Sequence, residues 1–171
     1  MKTLVVLATV LGMAAGRVTP AAAKGKGKEA AGPADPNAAV AKAHAGKVWV
    51  RGDAFPGSEG NHLSAWLGQH PPRTDIAAKV KDGPWTINYL AVFKRPSVPG
   101  AMTVQFFEKG DAKSLVDQYS PENAGASLVF QGTFDLSPDQ GFNKGHSYVI
   151  KVGQLLKGKF VPYASGELAL K

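Results

Sequence analysis

The stretch Trp85-Thr-Ile-Asn-Tyr-Leu-Ala-Val-Phe93 decides the fold class. In an extended chain Trp85, Ile87, Tyr89, Ala91 and Phe93 share one face, with Thr86, Asn88 and Lys94 on the other, because successive strand side chains point to opposite sides. The same period recurs on both sides of it. Upstream, Lys47-Val-Trp-Val50 and Ile76 to Val80 read as short strands, and Asp82-Gly83 as a hairpin turn whose glycine accepts positive φ. Downstream, Arg95-Pro-Ser-Val-Pro-Gly100 turns the chain, and Met102, Val104 and Phe106 alternate with Thr103 and Gln105. Lys109 to Gly125 reads as a polar connection. Leu128, Phe130, Phe134 and Leu136 then face inward, with Ser127, Gln131, Thr133 and Asp135 outward. Tyr148, Ile150 and Val152 alternate with Ser147 and Lys151. Lys157-Gly158 makes a tight return, and a last strand from about Phe160 to Leu170 turns Leu168 and Leu170 inward.

About seven strands with short connections predict antiparallel pairing. Each strand hides one side, so two sheets must face each other. The expected fold is mainly β: an antiparallel, immunoglobulin-like β-sandwich of about seven strands with one short helix. A partly open barrel is the alternative. The helix is expected at Asn61-His-Leu-Ser-Ala-Trp-Leu-Gly68, where Leu63, Trp66 and Leu67 fall at i, i+3 and i+4. Asn61 caps its start, Gly68 ends it and Pro71-Pro72 forbids its continuation. This helix is expected to lay Trp66 over an open end or edge of the sheets; a strand here is the competing reading.

The C-terminal third resembles the last strands of immunoglobulin and fibronectin type III-like modules. Phe142-Asn-Lys-Gly-His-Ser-Tyr-Val-Ile-Lys-Val152 is similar to their penultimate strand, and Gly166-Glu-Leu-Ala-Leu170 to their closing strand. The resemblance spans about 30 residues and implies that the Tyr148 hydroxyl bonds nearby backbone and pins a corner. It implies no activity. The cysteine pair of antibody domains is absent, since the chain has no Cys.

The 171 residues allow one ordinary domain with tails. Residues 1–23 read as a secretory signal peptide: Lys2, an apolar run from Thr3 to Ala15, then Pro20 before Ala21-Ala22-Ala23. Cleavage is expected after Ala23, and the protein in a periplasm or outside the cell. The apolar run falls short of the roughly 20 residues a spanning helix needs, and no later stretch replaces it. Residues 24–46 read as a flexible, basic linker rich in Gly, Ala and Pro, with Asn37 to Lys42 able to form a transient helical turn capped by Asn37. Residues 47–171 are the β-domain. The formal charge of +7 falls to +5 once Lys2 and Arg17 leave with the signal peptide. The linker holds +2 of that through Lys24, Lys26, Lys28 and Lys42 against Glu29 and Asp35. The domain keeps +3, an ordinary solvated surface and not a nucleic-acid stripe. Lys24, Lys26 and Lys28 offer weak contact with an anionic surface; a solubilising tether is the plainer reading.

Catalytic patterns are missing. No Cys means no thiol nucleophile, no disulfide and no Cys-ligated zinc. No Gly-x-Ser-x-Gly, Ser-x-x-Lys or phosphate-cradling loop occurs, and the carboxylates, among them Asp53, Asp75, Asp82, Asp111 and Asp139, are not paired. His44, His62, His70 and His146 are dispersed, and only Asp75 is a candidate neighbour for His62 or His70, so no metal or other cofactor is expected. Asp135-Leu-Ser-Pro-Asp139-Gln-Gly141 has two carboxylates and a glycine but too few oxygens for calcium, and reads as a Ser-Pro turn. The aromatics Trp49, Trp66, Trp85 and Tyr163 are candidates for a ligand or interface, with Trp66 and Tyr163 the chosen binding residues and Trp85 assigned to the core. The functional expectation is a non-enzymatic, exported interaction or structural module of the cell envelope, with an envelope protein as partner. The alternative is a small-ligand domain, for a glycan, using exposed aromatics.

Overall fold

The computed structural model describes residues 35–56, 60–78, 83–111, 113–122 and 125–171. In chain order they form helix α1 (Ala38–His44), strand β1 (Val48–Arg51), helix α2 (Gly60–Gln69), and strands β2 (Asp75–Ile76), β3 (Trp85–Val92), β4 (Thr103–Glu108), β5 (Leu115–Tyr119) and β6 (Val129–Leu136). A 3-10 turn (Pro138–Gln140) and strands β7 (Ser147–Leu156) and β8 (Lys159–Leu170) complete the chain. It is mainly β and its sheets are antiparallel apart from one short pairing. One sheet has the order β1-β3-β6, the other β2-β8-β7-β4-β5, in which β2 lies parallel to the end of β8.

The alternation of β3 places Trp85, Ile87, Tyr89, Ala91 and Phe93 in one core, where they meet Val104 and Phe106 of β4, Ile150 and Val152 of β7, and Leu168 and Leu170 of β8. This core therefore lies between the inner faces of the two sheets, and burying it drives their association. Leu90 and Val92, on the other face of β3, are buried as well. They join Trp49, Leu128 and Val129 beneath Val40 and Ala41 of α1 and Leu63 and Leu67 of α2. The two helices thus cover the outer face of the three-stranded sheet, and the upper half of β3 is apolar on both sides because both sides are covered.

The sheets run into each other along one side. The Ser165 N–H donates to the Gly46 carbonyl at 3.1 Å, Lys47 bridges Ser165, and Val50 bridges Arg73. Gly166 makes this approach feasible: a Cβ there would overlap the Val48 carbonyl oxygen and lie 3.0 Å from Val48 Cβ. At the other side β5 and β6 end their sheets with no further strand among the described residues. Aromatic rings fill the space there, with Phe134 stacked on Tyr89 (5.0 Å between centroids) and on Tyr119 (4.3 Å).

Several expectations change. Residues 38–44 are a packed helix and not part of a flexible linker, because Val40 and Ala41 find a partner surface that an isolated turn lacks. The polar connection from 109 to 125 contains β5, whose Val116 and Tyr119 pack on the core from an edge. Leu128 lies just before β6 and turns to the helix-covered face, not the inner one. The strand at 76–80 is ordered as β2 only over Asp75–Ile76; residues 79–82, with Asp82 of the expected hairpin, lie outside the described residues. So do the signal-peptide expectation at 1–23, Ala23, and Lys24, Lys26 and Lys28. Among the described residues no helix is long and apolar enough to cross a membrane. The Tyr148 hydroxyl accepts the Asn143 N–H at 2.7 Å, a bond to backbone five residues away. Lys157 and Gly158 both take positive φ (52° and 75°) between β7 and β8, as a two-residue hairpin turn requires.

Candidate ligand-binding site

Helix α2 is anchored by Leu63 and Leu67, both buried. Trp66 sits at the edge of that buried face and is only partly covered. Four residues on, His70 falls on the same side of the helix, as i, i+4 spacing dictates. Its ring is stacked on the Trp66 indole, with 6° between the planes and 4.2 Å between centroids, and its Nδ1 is 2.8 Å from the Trp66 carbonyl oxygen. The indole N–H of Trp49, from the neighbouring β1, donates to the His70 carbonyl at 3.2 Å. The end of α2 is thus tied to the sheet before Pro71-Pro72 turns the chain away.

Two residues beyond Trp49 on β1, Arg51 reaches the same place. Its guanidinium carbon is 4.7 Å from the Trp66 ring centroid and 5.8 Å from that of Phe55. Phe55 meets Trp66 edge-on at 5.7 Å. Arg73 arrives through its bridge to Val50. Together Trp49, Arg51, Trp66, Gln69, His70, Pro71 and Arg73 line a concavity of about 300 Å3. Among the described residues no carboxylate lines it and neither arginine is in an ion pair. The indole of Trp66 already carries an imidazole, a guanidinium and a phenyl edge. A sugar ring stacked on it would have to displace one of them. Trp66 therefore acts as a platform against which Arg51 is held.

Tyr163, the other expected binding residue, is partly buried on β8 and lines a separate concavity of about 330 Å3 with Gly46, Lys94, Lys151, Pro162 and Ser165. Its hydroxyl donates to Gln154 Oε1 at 3.0 Å, its ring packs on Phe93 at 5.3 Å, and the Arg95 guanidinium stands 5.7 Å from it. Its hydroxyl is occupied in holding the buried Gln154, which also donates to the Val98 carbonyl at 2.9 Å. The structure does not bring Trp66 and Tyr163 together. Trp85 is buried in the core, and its indole N–H donates to the Lys171 carbonyl.

The histidines stay apart. His44 packs edge-on against Trp49 at 5.3 Å, and burial, assisted by Lys47, lowers its pKa. His146 is 2.7 Å from Glu108, and His62 is exposed. Asp75 faces Lys171 at 3.8 Å and not a histidine. The Asp135–Gly141 segment is a turn in which Gln140 Oε1 accepts the Ser137 N–H at 2.9 Å and Asp135 accepts the Thr86 hydroxyl. A third concavity, on β3 and β6 beside Ala54 and Phe55, is lined by Asn88, Gln131, Gly132 and Thr133.

The expectation from sequence reached Trp66 but missed Arg51, Gln69 and Arg73. A partial signal was present: Trp66 and His70 at i, i+4, and Trp49 and Arg51 two apart on a strand. Nothing local pairs the two segments. Comparison of the chain with protein-family models, with curated proteins and with solved structures finds no match.

Proposed function

We propose that this protein is an exported, non-enzymatic β-domain of the cell envelope that works by binding, with the concavity beside Trp66 as its working surface. The observation that carries this reading is the Trp66 platform with its Arg51 and His70 partners, lining about 300 Å3 at the end of a tethered helix. That volume is at the small end of ligand sites. It suits a monosaccharide-sized ligand or one residue of a longer chain. A rigid sheet and a packed helix end supply the lining, which limits the ordering cost of binding. Export rests on the leader pattern at 1–23, and Lys24, Lys26 and Lys28 are read as part of a tether. The architecture is read as a relative of the immunoglobulin-like sandwich, on the two facing sheets and the Tyr148 corner contact.

A docking role toward an envelope protein is the second reading. It is favoured by the open edges of β5 and β6, since an unpaired strand edge accepts a partner strand.

Intrinsic tryptophan fluorescence separates the two. Trp85 is buried in the core away from the concavity, so a ligand beside α2 registers through Trp66 and the neighbouring Trp49. The protein is titrated with cell-wall saccharides and with envelope extract. A saturable shift that disappears in Trp66→Phe supports the ligand reading. Silence with saccharides, together with an extract protein retained equally by wild type and Trp66→Phe, overturns it in favour of docking on another face.

A further inference from the structure

Charge in the Trp66 concavity is one-sided. Arg51 and Arg73 both line it, and Gln69 adds an amide. The nearest acids in sequence do not neutralise it: Asp53 is exposed and in no ion pair among the described residues, and Asp75 is engaged with Lys171. The Arg51 guanidinium carbon stands 4.7 Å from the Trp66 ring centroid and 5.8 Å from that of Phe55, beside two rings that meet edge-on, so a long, flexible side chain is oriented before any ligand arrives. A guanidinium held against an aromatic ring by its charge still carries a planar fork of N–H donors, which pairs with two oxygens of a carboxylate or a phosphate. The other polar groups are braces: the Trp49 indole N–H is spent on the His70 carbonyl, and His70 Nδ1 on that of Trp66.

We propose that this concavity binds the oxyanion group of a compact ligand, a carboxylate or phosphate carried on a sugar-sized body, with Arg51 as the pre-oriented fork and Arg73 as the second cation. The proposal rests on the reading of this concavity as the binding surface and names the chemistry it selects. A neutral sugar gains little here, because the indole is already occupied. An anion meets two arginines for which no carboxylate among the described residues competes.

The test uses one sugar with three groups at its sixth carbon: glucose, glucuronate and glucose 6-phosphate. Each is titrated into 15N-labelled protein, following the Trp indole and Arg Nε–H signals. The expected result is a saturable shift of the Trp66 and Arg51 signals with glucuronate, glucose 6-phosphate or both, and none with glucose at equal concentration. Which anion binds more tightly separates carboxylate from phosphate recognition. Arg51→Gln and, at an exposed position, Arg73→Gln each weaken binding about tenfold or more, while the Trp85 indole signal stays in place and reports an intact core. Arg51→Lys fails to restore binding, because an ammonium lacks the fork. Glucose binding as tightly as the anions, unaffected by Arg51→Gln, overturns the oxyanion assignment and leaves the concavity standing as a binding surface. Anion-dependent shifts confined to the lysines near Tyr163, or no shift with any of the three sugars, overturn the proposal. Trp66-dependent fluorescence changes with another saccharide would then still uphold the broader reading.

Discussion

Alanine at Gly166 tests the place where the two sheets meet. Its Cβ would overlap the carbonyl oxygen of Val48, a backbone atom of β1, and lie 3.0 Å from Val48 Cβ. Neither atom can rotate away as the end of a flexible side chain could. Relief requires β1 and β8 to separate, which strains the Ser165 N–H to Gly46 carbonyl bond and loosens Val48, Val50 and Ala164 in the core. Overpacking of this kind costs about 1–3 kcal/mol, and a weakened hydrogen bond about 0.5–1.5 kcal/mol. Against this stands a gain of about 0.4–1 kcal/mol from the stiffer unfolded chain. The expected net effect of Gly166→Ala is a loss of about 1–3 kcal/mol, or roughly 4 °C in Tm for each kcal/mol. Gly68→Ala is the matched control. It adds the same methyl group in α2, where nothing lies within 4 Å of the new Cβ, and should stabilise by about 0.5–1 kcal/mol. Urea unfolding followed by far-ultraviolet circular dichroism measures both. Equal midpoints for the two variants would show that the sheets do not close on each other at Gly166.

Four further outcomes are expected. The Tyr89 hydroxyl is buried with no hydrogen-bond partner among the described residues. Tyr89→Phe should therefore leave the urea midpoint at pH 8 unchanged or raise stability by up to about 2 kcal/mol; a clear loss would mean that the hydroxyl has a partner. Burial pushes the Tyr89 pKa up and, with Asp117 nearby, that of Tyr119 up to about 12. Both phenols stay protonated in the folded chain while the unfolded chain ionises near its ordinary value of about 10. Their contribution is intact below about pH 10 and is lost as pH rises toward and past 12. Midpoints at pH 8 and pH 11 should fall less in Tyr89→Phe than in wild type. Lys157 holds φ of 52°, a region asparagine enters several-fold more readily, so Lys157→Asn should stabilise by about 0.5–1 kcal/mol in the same assay; destabilisation would contradict the turn geometry. Finally, N-terminal sequencing of the protein recovered from the envelope or medium should begin at Lys24; a chain retaining Met1 would refute cleavage after Ala23.

What could be read from sequence was local. The alternation in 85–93, 102–106 and 147–152 needs only neighbouring residues, since strand geometry alone sorts them onto two faces, and those residues are buried as expected. The helix at Asn61 to Gly68 extends one residue at each end in α2, because apolar spacing and Pro71-Pro72 bound it locally. Lys157-Gly158 turned where expected because positive φ is a property of the turn itself. Tertiary structure decided the rest. Ala38–His44 is a helix because Val40 meets Leu63 and Leu90, and Leu115–Tyr119 is a strand because β4 offers it an edge. Leu128 changed sides because two helices cover the outer face of its sheet. The candidate site belongs to this second class. Trp66 was visible as an aromatic on a short helix, but its partners Arg51 and Arg73 come from a strand and a connection that only the fold brings beside it. Periodicity reports which way a side chain points along its own element; the group it meets depends on contacts closed across many residues, and those form when the whole core does.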